Sequence, residues 1–241
     1  MRKLLLGTTA LAAVTLTTNA ALADLSISGL YEFKYQSRGS DVAANDGTSM
    51  ESDSEIKFSF KNKTDSGLEV GMAVEMDTDS AGYDETNMYI KGGFGTLLLG
   101  SQDGAGDKFA IDAEDVVSEE IQATGTDTLT LIDTDLADTS DANKITYLAP
   151  AMGGFQAGIS YLDDGTDSTT GAQDSIEMGA QYTVDAGAAT ITVAGATRTT
   201  EQVSGTVDTE GQNIGVTVSA GNITAKVAQS TLEATNADEE A

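Results

Sequence analysis

The amino-acid sequence predicts an all-β chain folded as an antiparallel, up-and-down transmembrane β-barrel. Three observations carry this reading. They are an export leader, a run of period-two segments after it, and a strict alternation of short and long connections between those segments.

The leader comes first. Met1-Arg2-Lys3 is basic, Leu4 to Leu16 is an apolar stretch of 13 residues diluted by Gly and Thr, and Ala21-Leu22-Ala23 offers a small-x-small cleavage site. This is the layout of a secretory signal peptide, and the apolar stretch is too short for a spanning helix. Residues 1–23 are therefore expected to be removed, leaving a single domain from Asp24 to Ala241 of 218 residues. No later apolar run is long enough for a spanning helix, so the exported chain is either soluble or crosses a membrane on strands.

Composition narrows the function classes. Twelve Lys and Arg stand against 39 Asp and Glu, a net charge of −27 that argues against a nucleic-acid partner. With no His in the chain, no Ser-His-Asp triad, His metal site or His general base can be built, and an enzyme is not expected. There is no Cys, so there are no disulfides despite the oxidising destination.

From Leu25 the hydrophobic pattern has period two. Leu25, Ile27, Tyr31, Phe33 and Tyr35 alternate with Ser26, Ser28, Glu32, Lys34 and Gln36, giving a strand with one apolar and one polar face. The same reading gives strands at 52–63, 68–76, 85–91, 96–101, 143–149, 155–162, 175–183, 188–198, 210–219 and 223–229, eleven in all. Leu98 breaks the alternation of 96–101.

Connections then sort into two kinds. The short ones, 64–67, 92–95, 150–154, 184–187 and 220–222, each contain Gly, which suits a tight hairpin. The long ones are 37–51, 77–84, 102–142, 163–174 and 199–209. This alternation puts all short turns on one rim and all long loops on the other, as in transmembrane barrels, with the N-terminus of the mature chain on the periplasmic side. Acidity follows the long-loop rim: 24 Asp and Glu lie in the five long connections, opposed only by Arg38 and Lys108. Phe60, Tyr147, Phe155 and Tyr182 fall near short-turn strand ends, and Tyr35 and Tyr161 near long-loop ends, as two interfacial aromatic girdles would require.

These residues resemble a known family. Thr64-Asp65-Ser66-Gly67-Leu68-Glu69-Val70-Gly71 is similar to the first periplasmic turn and third strand of Rhodobacter-type porins of the α-proteobacteria. Gly92-Gly93-Phe94-Gly95-Thr96 with Leu99-Gly100 is similar to the next turn and strand of general porins. Asp103-Gly104-Ala105-Gly106-Asp107 stands where their third loop opens, and Asn143-Lys144-Ile145-Thr146-Tyr147 with Pro150 and Gly153-Gly154-Phe155 resembles the strand and turn that follow. The resemblance covers residues 24 to about 230. It implies a homotrimer of 16-stranded barrels in the bacterial outer membrane, surrounded by lipid and lipopolysaccharide, with the third loop, here 102–142, folded into each lumen. Eleven of sixteen strands, and a chain ending in Asn236-Ala237-Asp238-Glu239-Glu240-Ala241 rather than on a strand with a terminal aromatic, are expected of a C-terminally incomplete barrel. Ser101 and Asn87 also depart from the family, standing where general porins often carry Arg.

The expected function is a water-filled channel for passive diffusion of ions and small hydrophilic solutes, with a preference for cations. A loop of 41 residues without structure of its own is unusual unless it has a task, and filling a pore is one. A short helix is expected at 112–121, packed through Val116, Val117 and Ile121. Candidate constriction residues on the loop are Asp103, Asp107, Asp112, Glu114, Asp115, Glu119 and Glu120; on the wall they are Lys34, Lys57, Lys61 and Lys91. No cofactor is expected. Asp163-Asp164-Gly165-Thr166-Asp167 lacks the full calcium loop of an EF-hand, although Ca2+ or Mg2+ could bridge acidic outer loops to lipopolysaccharide phosphates. The alternative is a soluble secreted β-rich surface or autotransporter-passenger protein, which would wash off the cell without detergent and would not need an apolar outer face on each strand.

Overall fold

The computed structural model describes residues 5–8, 14–16, 24–38, 47–77, 83–112, 135–163, 172–202 and 208–235. The chain divides into two compact units, residues 1–86 with 120–130, and residues 87–119 with 131–241.

In the first unit, β3 (Asp24–Arg38), β4 (Gly47–Lys63) and β5 (Glu69–Asp77) form an antiparallel meander. The β3–β4 ladder runs from Asp24 opposite Lys61 to Arg38 opposite Gly47. The turn from β4 to β5 is closed by Thr64 N donating to Leu68 O at 2.8 Å and Gly67 N donating to Thr64 O at 2.9 Å. Gly67 sits at φ +86°, a conformation that costs glycine little and a β-branched residue much. Two short strands near the N-terminus, β1 (Leu5–Thr8) and β2 (Val14–Leu16), pair with β3.

The second unit is the larger. It contains β6 (Thr86–Gly92), β7 (Gly95–Gln102), β8 (Ala142–Leu148), β9 (Phe155–Asp163), β10 (Ala172–Asp185), β11 (Thr190–Gln202), β12 (Asp208–Ala220) and β13 (Ile223–Thr235). Each strand pairs with the next in sequence, and every ladder from β7 to β13 is antiparallel. Between β7 and β8 lie the five-residue helix α1 (Ala105–Phe109) and a 3-10 turn at Asp135–Ala137. No helix among the described residues is long and apolar enough to cross a membrane.

The eleven strands β3–β13 stand where the periodicity places them, including the irregular one at 96–101. They run further at the long-loop ends than the apolar pattern does: β4 begins at Gly47 rather than 52, and β13 reaches Thr235 rather than 229. The backbone ladder does not need apolar side chains, so hydrogen bonding continues where the sequence has turned polar. Glu51, Asp77, Asp174, Glu201, Asp208 and Glu233 consequently lie in strand ends. A helix that the sequence did not suggest lies at 105–109; of the helix expected at 112–121, Asp112 is not helical and residues 113–121 lie outside the described residues.

Burial in the second unit is inverted relative to a water-soluble protein. Along β8, Asn143, Ile145 and Tyr147 are exposed while Lys144 and Thr146 are buried. Along β12, Gln212, Ile214, Val216 and Val218 are exposed while Gly211, Asn213 and Gly215 are buried. The buried polar face is covered by α1 and the segments on either side of it. The face carrying Ile159, Met178, Tyr182, Val193, Ile214 and Val227 has no described cover. A continuous apolar outer face is tolerated when its solvent is lipid.

The edge of that apolar face gives the strand tilt. Ile145, Tyr161, Ile176, Thr199, Glu210 and Glu233 face one another in succession across β8 to β13. On this row the outer side chains are apolar or aromatic on β8–β10 and polar on β11–β13. The apolar stretch starts on this row on β8, β9 and β10, but at Val193 on β11, Ile214 on β12 and Val227 on β13, the last six residues along from Glu233, a net drift of six residues over five strand-to-strand steps. With about 3.3 Å per residue and about 4.8 Å between strands, a band of constant height requires a tilt of about 40°. Transmembrane barrels tilt their strands by this amount.

Candidate functional site

The buried polar face of β8–β13 is the site, and the described stretches of the connection between β7 and β8, residues 103–112 and 135–141, are its occupants. The first stretch of that connection walks across the strands, each of four supplying one polar anchor. Ala105 N donates to Ser160 Oγ of β9 at 2.7 Å, Gly106 N donates to Glu177 Oε2 of β10 at 3.2 Å, and Ile111 N donates to Asn213 Oδ1 of β12 at 2.9 Å. Lys226 Nζ of β13 then donates to Asp112 O at 3.1 Å. β11 contributes Ala194 and Ala196, small enough to lie beneath the helix.

Apolar packing at this contact is modest. Phe109 is fully buried with Ala105, Ala137 and Ala196, and Leu148 packs against them. It fits because the wall lacks side chains under it. A Cβ on Gly179 would lie 2.6 Å from Phe109 Cβ, and one on Gly215 would lie 2.7 Å from Ile111 Cβ. On Gly211 a Cβ would run into the carbonyl oxygen of Leu136.

Beside α1 is a buried charge cluster. Glu177 is 1% exposed and Lys144 4%. Lys144 Nζ lies 3.3 Å from Glu177 Oε1 and 3.5 Å from Asp138 Oδ1, and donates to Ser140 O at 2.8 Å. Glu177 Oε1 also accepts from Thr139 N at 2.9 Å and from the Thr139 hydroxyl, while Arg198 donates to the carbonyl of Asp138. Lys144 is therefore shared by two carboxylates, and Arg198 adds a bond to the backbone beside one of them.

The expected site residues fall into separate places. Asp103 is exposed just before α1, Asp107 is half-buried within it, and Asp112 is buried, with its carbonyl taken by Lys226. Glu114, Asp115, Glu119 and Glu120 lie outside the described residues, as does 164–167 of the acidic run considered for calcium. On the wall, Lys57 is ion-paired to Glu75 and lies 3.8 Å from Glu85, whereas Lys61 and Lys91 are exposed. Lys34 lies in β3 opposite Glu51; its side chain is outside what is described. Of the aromatic residues, Phe60, Tyr147, Phe155, Tyr161 and Tyr182 are exposed and Tyr35 is half-buried. Tyr147 donates to Phe94 O at 2.6 Å and Tyr161 to Asp174 Oδ2 at 3.0 Å, so each polar tip has a partner at a strand end.

Sequence reasoning missed the anchors Ser160, Glu177, Arg198, Asn213 and Lys226 and the ion-pair partner Asp138. One signal was available: the 184–187 hairpin, paired outward from its turn, sets Glu177 opposite Arg198. Nothing in the pattern shows that Lys144 and Asp138 join them, because that depends on how the loop returns.

A family model described as Gram-negative porin matches residues 7–241. The chain belongs to that family. Two solved structures are similar to this porin. One is a porin refined at 1.8 Å, with 15% identity and a TM-score of 0.45 over 87% of this chain and 84% of that chain. The other is an anion-selective porin from Comamonas acidovorans, with 14% identity and a TM-score of 0.41 over 97% of this chain and 80% of that one. No curated protein matches. The porin is a channel protein of the outer membrane and not an enzyme.

Proposed function

We propose that this porin passes ions and small hydrophilic solutes by diffusion along the polar face of its strands, that the loop docked on this face narrows the path, and that the channel prefers cations. One observation carries the preference. Lys144 is spent on Glu177 and Asp138 and Arg198 is tied to the backbone carbonyl of Asp138, while the loop spanning 102–142 carries twelve carboxylates against Lys108 alone. A path lined by carboxylates lowers the energy of a cation and raises that of an anion, and a narrow lumen focuses the effect. Exposed Lys61 and Lys91 oppose it, so a preference rather than exclusion is expected.

The test is the reversal potential in a planar bilayer under a KCl gradient. It should have the cation-selective sign and shrink as mean salt rises, because the Debye length falls from about 10 Å at 0.1 M to about 3 Å at 1 M. Replacing Asp103 and Asp107 by Asn should reduce it. An anion-selective potential at low salt would overturn the preference while leaving the channel.

Two finer points belong to the same reading. Export removes residues 1–23, so N-terminal sequencing of outer-membrane material should begin Asp24-Leu25-Ser26. Assembly as a homotrimer within lipid and lipopolysaccharide follows from the likeness to Rhodobacter-type porins, carried by the order of the turns at 64–71 and 92–100. Cross-linking in mild detergent would reveal a trimer as a three-chain band.

A further inference from the structure

We propose that Glu177 is a positioning residue that closes the neck of the long loop, holding the loop's first and last turns together against the wall and so setting how still the constriction is. The proposal rests on the reading that this loop lies in the path of the solute.

The geometry is specific to one carboxylate. Oε2 accepts from Gly106 N at the start of α1, and Oε1 accepts from Thr139 N and Oγ1 just before β8. Gly106 and Thr139 are separated by 32 residues of chain, and the side chain of a single wall residue bonds both. Lys144, fixed on β8, completes the neck by bonding Glu177 and Ser140 O. The two turns also touch directly, since a Cβ on Gly106 would collide with the carbonyl of Ala137. Gly104 leaves the space that the carboxylate fills; a methyl there would occupy the position of Glu177 Oε2. The contact is polar on all sides, so it fixes orientation in a way that Phe109 and three alanines cannot. Lys144 is shared by Glu177 and Asp138, so a change at any one of the three alters the surroundings of the other two, and the neck responds as a unit.

The experiment uses the full chain refolded into detergent and planar bilayers. Glu177→Gln keeps the shape and leaves Lys144 beside Asp138, but its amide has a single acceptor oxygen, so either Gly106 N or the Thr139 donors lose their partner. The expected result is channels with frequent brief closures, a lower closing voltage, and at least tenfold faster trypsin cleavage at Lys108 of the folded protein. The double variant Lys144→Met/Glu177→Gln also takes the ion-pair partner from buried Asp138 and restores none of the Glu177 bonds, so it should lie no closer to the parent; recovery toward the parent would mean that charge balance and not the bridge holds the neck, and would overturn the proposal. Should Glu177→Gln fail to fold, Gly104→Ala displaces the same carboxylate without altering any charge and should give the same closures. Parent-like noise, closing voltage and cleavage in a folded Glu177→Gln or Gly104→Ala channel would overturn the proposal. Faster cleavage at Lys108 with an unchanged current would support the neck and overturn the placement of the loop in the solute path.

Discussion

Gly211 shows how much of the docking rests on the absence of single atoms. A methyl group there meets the backbone carbonyl of Leu136, which cannot swing aside as a side chain can. Gly211→Ala should therefore lift the 3-10 turn off the wall at a cost of about 1–3 kcal/mol, the usual range for overpacking. Urea unfolding of the detergent-folded protein measures the loss, and a wider open-channel current checks that the loop has moved. Asn213 makes a complementary case: its amide accepts from Ile111 N and donates to Ser230 Oγ at 2.9 Å. Asn213→Leu leaves buried backbone without a partner and should cost about 1–3 kcal/mol in the same assay. Neither residue stands out in the sequence. Gly and Asn on a strand's polar face read as unremarkable wall positions until a second segment is laid against them.

At the scale of the strand, the alternation makes a sharper claim. Val216 is exposed on the outer face of β12, and Thr217 points to the polar side. Val216→Arg should cost about 2–4 kcal/mol if it stands near the bilayer midplane, whereas Thr217→Arg should fold into lipid vesicles with parent yield. Equal folding of the two would remove the assignment of faces. This level was legible without coordinates, since β3 to β13 follow directly from residues such as Ile214, Val216 and Val218 set against Asn213, Gly215 and Thr217. Strand ends were not legible, because main-chain pairing persists through Asp208 to Glu210 and Thr231 to Thr235, where no apolar pattern remains. The helix at 105–109 was not legible for a related reason. Val116, Val117 and Ile121 suggest an amphipathic turn, yet the residues that pack are Ala105 and Phe109, whose partners are glycines and alanines on strands 50 and more residues away.

For the molecule as a whole, buried polar and exposed apolar surfaces have exchanged their usual places. Among the described residues the largest fully buried side chains are Phe109, Glu177 and Ser160, and only the first of these is hydrophobic. Stability in water is not what such a surface is built for, and extraction should require detergent. Release of the folded protein by salt or alkaline washing would contradict a lipid-facing exterior.

The drift of the apolar edge across β8 to β13 also fixes a length. On β10 the apolar outer stretch runs from Ile176 to Val184, nine residues. At about 3.3 Å per residue and a tilt of about 40°, it rises about 20 Å along the membrane normal. This is shorter than the roughly 30 Å hydrocarbon core of an ordinary bilayer, so thick membranes must thin around the protein or leave polar side chains in contact with acyl chains. The porin is thus a gauge of hydrophobic thickness. It should insert fastest into vesicles of twelve-carbon lipids and progressively more slowly as the chains lengthen to eighteen, with no such dependence for the docking of its loop.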